Sequence, residues 1–305
     1  MESVKKKIAI SVGDLNGIGI QIILSQHEII SNLCQPIYCI NKKMLEQASS
    51  LLNIPIPDNF VLHESKGEFK IKPSCVSKKA GLYSYVSFLD AITLSKNKKT
   101  HALVTLPINK ESWNKAGITY KGHTEVLRDI FGQNAIMMLG CEKMFVSLYT
   151  EHMALKDVIK EIKTKKILTF LLNFYECVKS DNIAVLALNP HASDNGVLGN
   201  EEKYIIKAIK KANIILKKEV FKGPLVPDTA FSPSNRANFT YYVAMYHDQG
   251  LIPLKALYFD ESINISLNLP IKRTSVDHGT AFDIAYKNKK LNSKSYINAV
   301  KEAIR

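Results

Sequence analysis

The chain has 305 residues, of which 46% are hydrophobic and 23% charged; this is too long for one ordinary core and is the composition of a soluble globular protein of about two domains. No apolar run of about 18 residues occurs, which excludes a transmembrane helix of the usual kind. Five scattered cysteines (Cys34, Cys39, Cys75, Cys141, Cys177) form no C-x-x-C pair, so reduced thiols in the cytoplasm are expected and a cysteine zinc site is not. The net charge of +13 comes from lysines spread along helix faces and loops, with few aromatics between them. It reads as a solvated basic surface that also favours an anionic substrate, not as a nucleic-acid interface.

In chain order, MESVKKKIAISVG reads as a charged lead into a first strand at 7–12 and not as a signal peptide. Further strands are predicted at 36–40, 59–63, 101–106, 135–139, 144–149, 182–188, 240–246 and 263–267. Helices are predicted at 81–97, from Leu155 to about Lys179, at 201–215, from about Gly279 to Lys287, and at 296–304. This alternation is the α/β pattern. No linker separates two halves, so the chain is expected to cross between domains more than once.

Polar chemistry gathers just past the strands, where open α/β sheets bind ligands. GDLNGIG (13–19) follows the first strand, but its glycine spacing and the absence of an acidic residue after the next strand exclude a Rossmann fingerprint. A tight turn presenting Asp14 to a ligand and a plain structural turn both remain open. KGHTEVLRDIFG (121–132) places Thr124 as a candidate helix cap beside His123, with free N–H groups for an anion. His152, His191 and His247 each follow a strand. Convergence on one divalent ion with an open position and three locally satisfied turn histidines are both compatible with spacings of 39 and 56 residues. Imidazoles favour zinc, cobalt, nickel or manganese. MYHDQGLIPLK (245–255) is read as a strand ending in His247, Asp248 and Gln249, then a glycine turn leading to Lys255. Arg273 suits a bidentate grip on an oxyanion, and the HGT turn (278–280) suits an anion or nucleotide.

These segments together resemble the 4-hydroxythreonine-4-phosphate dehydrogenase family of pyridoxal phosphate biosynthesis. The motifs that carry the likeness, in order, are SVGDLNGIG, TLPINKESWNKAG with KGHTE, NPHASDNGVLGNEE, GPLVPDTAF, YHDQGLIPLK and NISLNLPIKRTSVDHGTAFDIAYK. The resemblance implies a two-domain α/β fold like that of isocitrate and isopropylmalate dehydrogenases, with an active-site cleft and a non-Rossmann cofactor site. The implied division is 1–125 plus 256–305 on the cofactor side, with 126–255 carrying the metal ligands and the dimer interface. The implied metal ligands are His152, His191 and His247, holding one divalent ion (zinc, cobalt, manganese or magnesium). The implied substrate ligands are His123, Thr124, Lys255, Asn264 and Arg273. NAD or NADP would lie against His278, Gly279, Thr280 and Ala281, and Lys255 and Asp248 are the candidate catalytic groups. The implied assembly is a cytoplasmic homodimer in which both chains contribute to each active site.

Some positions depart from the family pattern. Leu15, Asn16, Ile20 and Gln21 stand where proline, alanine, proline and glutamate are usual; Ser193 and Asp194 replace glycine and glutamate, and Asn268 replaces glycine. The rival readings are a paralogue acting on another phosphorylated hydroxy acid (a threonate or erythronate phosphate) and a non-catalytic phosphometabolite- or metal-binding protein.

Overall fold

Runs of β-branched residues and the amphipathic stretches between them fold as alternating strands and helices, seen here in a computed structural model that describes residues 5–287 and 289–305. Residues 1–4 of the charged N-terminal lead, and Asn288, lie outside the described residues. The chain first forms β1 (Lys7–Ser11), α1 (Gly19–Leu33), β2 (Gln35–Cys39), α2 (Lys42–Leu52), β3 (Val61–His63), α3 (Lys78–Lys96), β4 (Ala102–Thr105), α4 (Lys110–Lys115) and α5 (His123–Phe131). It continues through β5 (Ile136–Cys141), β6 (Met144–Leu148), α6 (Leu155–Glu161), α7 (Thr164–Val178), β7 (Ile183–Leu186), α8 (Glu202–Leu216), β8 (Phe221–Leu225), α9 (Pro233–Asn238), β9 (Tyr241–Ala244) and α10 (His247–Tyr258). It then returns as β10 (Ile263–Leu267), β11 (Lys272–Val276) and α11 (Lys294–Ile304).

Two units result, one from the chain up to Gln133 with Ile263–Arg305, the other from Asn134–Ser262. The changeovers fall after α5 and after α10. Cuts at 125/126 and 255/256 would each divide a helix.

In the first unit the strand order is β3-β2-β1-β4-β11-β10, parallel except for the β10–β11 pair. Strand β4 is buried throughout, as parallel strands covered on both faces are. One face packs Ala9, Leu103 and Ile271 against Phe88 of α3, Trp113 of α4, and Val126 and Leu127 of α5. Trp113 is wholly buried and its indole N–H donates to Ser84 Oγ at 2.8 Å, so its apolar area is sealed without stranding a donor. α2, α3 and α4 are capped by Asn41, Ser77 and Asn109, whose side chains accept amides of their first turns.

The second unit orders its strands β5-β6-β9-β7-β8, with β6, β9, β7 and β8 running parallel. Its core joins Val146, Leu148, Ala184, Leu186, Tyr242 and Ala244 to Leu251 and Leu254 of α10.

Three sequence expectations are corrected. The helix expected over 155–179 is two helices: α6 ends at Glu161, whose carbonyl accepts the Tyr149 hydroxyl at 2.5 Å, and Ile162 leaves helical geometry with ψ 82. HDQG is no glycine turn but the first turn of α10. Gly250 is required there by close approach, since a Cβ would lie 2.4 Å from Val146 Cγ1. No helix spans 279–287: the segment is a set of turns in which Ile284 N–H and Ala285 N–H both donate to Ala281 O at 3.1 Å and Lys287 N–H to Ile284 O at 3.3 Å. Strands β8 and β11, helix α2 and the short helices α4 and α9 were not predicted.

Candidate active site

Parallel strands point their carboxyl ends the same way, and the polar motifs gather accordingly, three in each unit. In the first unit, the turns after β1, β4 and β11 touch: Asp14 N–H donates to Pro107 O at 2.9 Å and Ile18 N–H to Thr280 O at 3.0 Å. Gly13 makes this approach possible, with φ +71 and a hypothetical Cβ only 2.2 Å from Pro107 O. Asp14 itself is fully buried. One oxygen accepts the Asn16 amide at 2.9 Å and the other has no hydrogen-bond partner; burial pushes its pKa up to about 6. Asn16 ties the turn to the 72–75 loop, donating to Cys75 O at 2.7 Å and accepting from Lys72 N at 2.9 Å. Gln21 donates to Lys289 O at 3.2 Å.

Arg273 is the unusual group of this unit. It is 2% exposed, and burial alone pushes its guanidinium down to about 9. No carboxylate pairs with it among the described residues. Its partners are hydroxyls: Nε and Nη2 donate to Thr105 Oγ1 at 3.2 and 2.7 Å, and Nη1 donates to Ser266 Oγ at 3.2 Å. A guanidinium has five N–H hydrogens, so one on each terminal nitrogen has no protein partner here. Strand register explains the grouping. Arg273 pairs with Ser266 and Leu103, while one row on, Thr105 pairs with Ser11 and Ser275, and Ser275 with Asn264. Paired residues, and residues two apart, share a face, so all these side chains lie on the face covered by α3, α4 and α5.

His123 opens α5 on that face. Phe88 and Trp113 hold its ring edge-on at centroid distances of 4.5 and 5.7 Å. Burial first, and the Arg273 charge second, keep it well below the ordinary histidine pKa, hence neutral, and Nε2 is buried without a partner. Thr124 is buried in the first turn but is not the cap; Gly122 occupies that position. Asn264 Oδ1 is also buried and unpartnered. A buried cation without a counter-ion, with orphaned polar atoms around it, has the chemistry of an oxyanion site.

In the 278–281 turn, His278 Nδ1 lies 3.1 Å from Gly279 O, while Nε2 is buried and has no partner. Burial lowers its pKa, so the ring is a neutral acceptor at Nε2. Ala281 adopts φ +45, and Gly279 has open space where a side chain would be. An acceptor beside an open ledge fits the exocyclic amine of a nucleotide base.

In the second unit, β6, β9 and β7 present the histidines. His152 and His247 come together, their ring centroids 5.5 Å apart. Two imidazoles on one tetrahedral ion with metal–nitrogen bonds of about 2.1 Å have centroids roughly 5 Å apart, so the pair fits two coordination positions. Asp248 Oδ1 lies 2.7 Å from His247 Nδ1 and leaves Nε2 to ligate. His191 does not complete the set within the chain: no group of three His, Cys, Asp or Glu side chains able to hold an ion occurs among the described residues. It sits in a left-handed turn, with φ between +45 and +66 from His191 to Asn195. Such geometry costs L-residues roughly 1–2 kcal/mol each. Glu202 clamps the turn, accepting Leu188 N–H at 3.0 Å, Asn189 N–H at 2.8 Å and the Ser193 hydroxyl. Burial raises its carboxyl, but these hydrogen bonds outweigh that and hold it below the ordinary value. A glycine at 193 would take this geometry freely; here the serine hydroxyl donates to Glu202.

Gln249 is structural, since Oε1 accepts Met245 N–H and Nε2 donates to Ala187 O, both at 2.7 Å. Lys255 stands two turns up α10 from His247, about 12 Å along the axis, with Nζ 5.6 Å from the Phe259 ring centroid. Sequence reasoning missed Thr105, Ser266 and Glu202. The only local signal was their position at or next to strand ends and motifs.

The strand order and the polar strand ends define an α/β fold, with a buried arginine lacking a carboxylate partner in one unit and a histidine pair in the other. At the level of fold alone, isocitrate dehydrogenase from Methylococcus capsulatus superposes with a TM-score of 0.51 at 12% identity, over 98% of this chain and 84% of that one. The model of the pyridoxal phosphate biosynthetic protein PdxA family matches residues 32–303, and the chain belongs to that family. The 4-hydroxythreonine-4-phosphate dehydrogenase of Sulfurimonas denitrificans is 62% identical over 300 residues, spanning 98% of this chain and 97% of that protein. The crystal structure of the Klebsiella pneumoniae 4-hydroxythreonine-4-phosphate dehydrogenase superposes with a TM-score of 0.85 at 30% identity, over 98% of this chain and 100% of that one.

Proposed function

We propose that this chain oxidises the C3 hydroxyl of 4-phosphooxy-L-threonine, with NAD or NADP as hydride acceptor. The product is a β-keto acid that loses carbon dioxide to give 3-amino-2-oxopropyl phosphate, in pyridoxal 5'-phosphate biosynthesis. Besides family membership, the observation that carries this reading is Arg273, a buried guanidinium with no counter-ion.

Each residue contributes in its own way. Arg273 takes phosphate oxygens on its two unpartnered N–H groups. The neutral His123 offers a hydrogen-bonding nitrogen beside it, and Thr124 and Asn264 add polar contacts. Holding the phosphate fixes the distant C3 hydroxyl and so lowers the entropic cost of reaction. His278, Gly279, Thr280 and Ala281 hold the nucleotide, with His278 Nε2 accepting from the base. The nicotinamide ring, when bound, supplies the hydride acceptor.

His152 and His247 hold the divalent metal (zinc, cobalt, manganese or magnesium), and His191 completes the set in an assembled homodimer with shared sites. The metal, when bound, supplies positive charge that acidifies a hydroxyl and tolerates a developing enolate. Asp248 keeps the His247 ring oriented, and Lys255 supplies an ammonium for a substrate anion or for proton transfer. No helix among the described residues is long and apolar enough to cross a membrane; the proposed location is the cytoplasm.

The test is reduction of NAD or NADP by 4-phosphooxy-L-threonine before and after chelation, with zinc, manganese or cobalt added back. Activity lost on chelation and restored by metal is expected. A folded, metal-loaded dimer that reduces neither nucleotide, or that prefers a 4-phospho-threonate by kcat/KM, would replace the substrate assignment.

A further inference from the structure

Arg273 must be held in one orientation without being neutralised. A carboxylate partner would fix the guanidinium but cancel the charge that draws a phosphate. Thr105 solves both demands. Its Oγ1 accepts from Nε and Nη2 together, at 3.2 and 2.7 Å, which defines the plane of the guanidinium and occupies one of its edges. Two lone pairs are what a hydroxyl offers, and both are used. Ser266 takes one hydrogen of Nη1, and one N–H on each terminal nitrogen is left.

Thr105 is itself fixed. It is fully buried on the last position of β4, paired with Ser11 on one side and Ser275 on the other. Ser275 Oγ donates to the Thr105 carbonyl at 3.2 Å. The acceptor is therefore part of the sheet and does not depend on a mobile loop. No charged group stands in its place among the described residues.

We propose that Thr105 is a positioning residue for the phosphorylated substrate: its hydroxyl orients Arg273 as a neutral double acceptor, so that the guanidinium meets the phosphate edge-on and fully charged. The inference rests on the reading of Arg273 as the phosphate ligand.

The experiment uses the full-length protein and inorganic phosphate as probe, with binding followed by calorimetry and KM measured for 4-phosphooxy-L-threonine. Thr105→Val keeps the β-branched shape and removes both hydrogen bonds; phosphate affinity is expected to fall roughly ten- to a hundredfold, with KM rising in step. Thr105→Ser keeps the acceptor and is expected to bind within about threefold of wild type, a rescue that a purely packing role would not produce. Thr105→Asp keeps an acceptor but adds a negative charge, and is expected to abolish phosphate binding in a folded protein. If Thr105→Val melts early, the Asp and Ser variants still decide the matter. Wild-type affinity in Thr105→Val or Thr105→Asp, alongside loss in Arg273→Met, would overturn the role of Thr105 while keeping the phosphate site. Undiminished binding in Arg273→Met would overturn both.

Discussion

Replacing Arg273 with methionine is expected to move stability and function in opposite directions. In the ligand-free fold the guanidinium is pushed down to about 9, more than three units below its ordinary value, by burial alone. Each pH unit of displacement is worth about 1.4 kcal/mol, so the uncompensated charge costs on the order of 5 kcal/mol at neutral pH. Methionine removes that cost and fills much of the same volume. It also removes three hydrogen bonds to Thr105 and Ser266, worth about 1 kcal/mol each. The net is a gain of roughly 2 kcal/mol, or about 4–8 °C in Tm for a domain of this size. Wild type should recover the difference when phosphate is added, since saturation to 100 times Kd stabilises by about 2.7 kcal/mol; the variant should not respond. The sign with pH follows from the lowered pKa. Above about pH 9 the unfolded chain keeps the extra proton that the folded state has lost, so wild-type stability recovers as pH rises from there toward the ordinary arginine range. The Tm gap should thus be constant below about pH 9 and shrink above it. Thermal melts of both proteins, with and without phosphate, are sufficient. A Tm that drops by several degrees in Arg273→Met, with phosphate still stabilising it, would refute the reasoning.

Asp14→Asn is expected to stabilise near pH 8 by about 1–3 kcal/mol and to do nothing near pH 4. Burial raises this carboxyl to about 6, so the folded state binds the proton more tightly and carries a penalty only once the group ionises; equal effects at both pH values would sink this account. Gly250→Ala is expected to destabilise by about 1–3 kcal/mol despite the better helix propensity of alanine. The new Cβ would meet Val146 Cγ1 at 2.4 Å and Ala244 Cβ at 2.9 Å, and urea unfolding that showed a gain would mean α10 can lift off the sheet.

Much of the fold was legible because hydrophobic periodicity is local. Alternation of β-branched runs with amphipathic stretches marks strands such as β1, β4, β7 and β9 to within a residue or two. It failed where a neighbour overrides local preference. HDQG reads as a turn because glycine in a helix is locally unfavourable; only the closeness of β6 shows why glycine must be there. The break after Glu161 has no proline or glycine to announce it; there the Tyr149 hydroxyl, from just past β6, donates to the Glu161 carbonyl.

The same division holds for the site. Sequence by itself determined the residue types and their placement: three histidines just past strands, an arginine in a strand-end motif, and a glycine-spaced turn that cannot be a Rossmann loop. It also marked the family, since long motifs in fixed order carry far more information than any one spacing. Tertiary structure decided what each group is. Arg273 is a buried, unpaired cation only because register places Thr105 and Ser266, two hydroxyls and no carboxylate, around it. His152 and His247 meet because β6 and β9 are parallel neighbours, while His191 follows β7 in a left-handed turn clamped by Glu202. Which side chains share a face, and which charge is left without a partner, are properties of pairing across distant strands, and no local pattern encodes them.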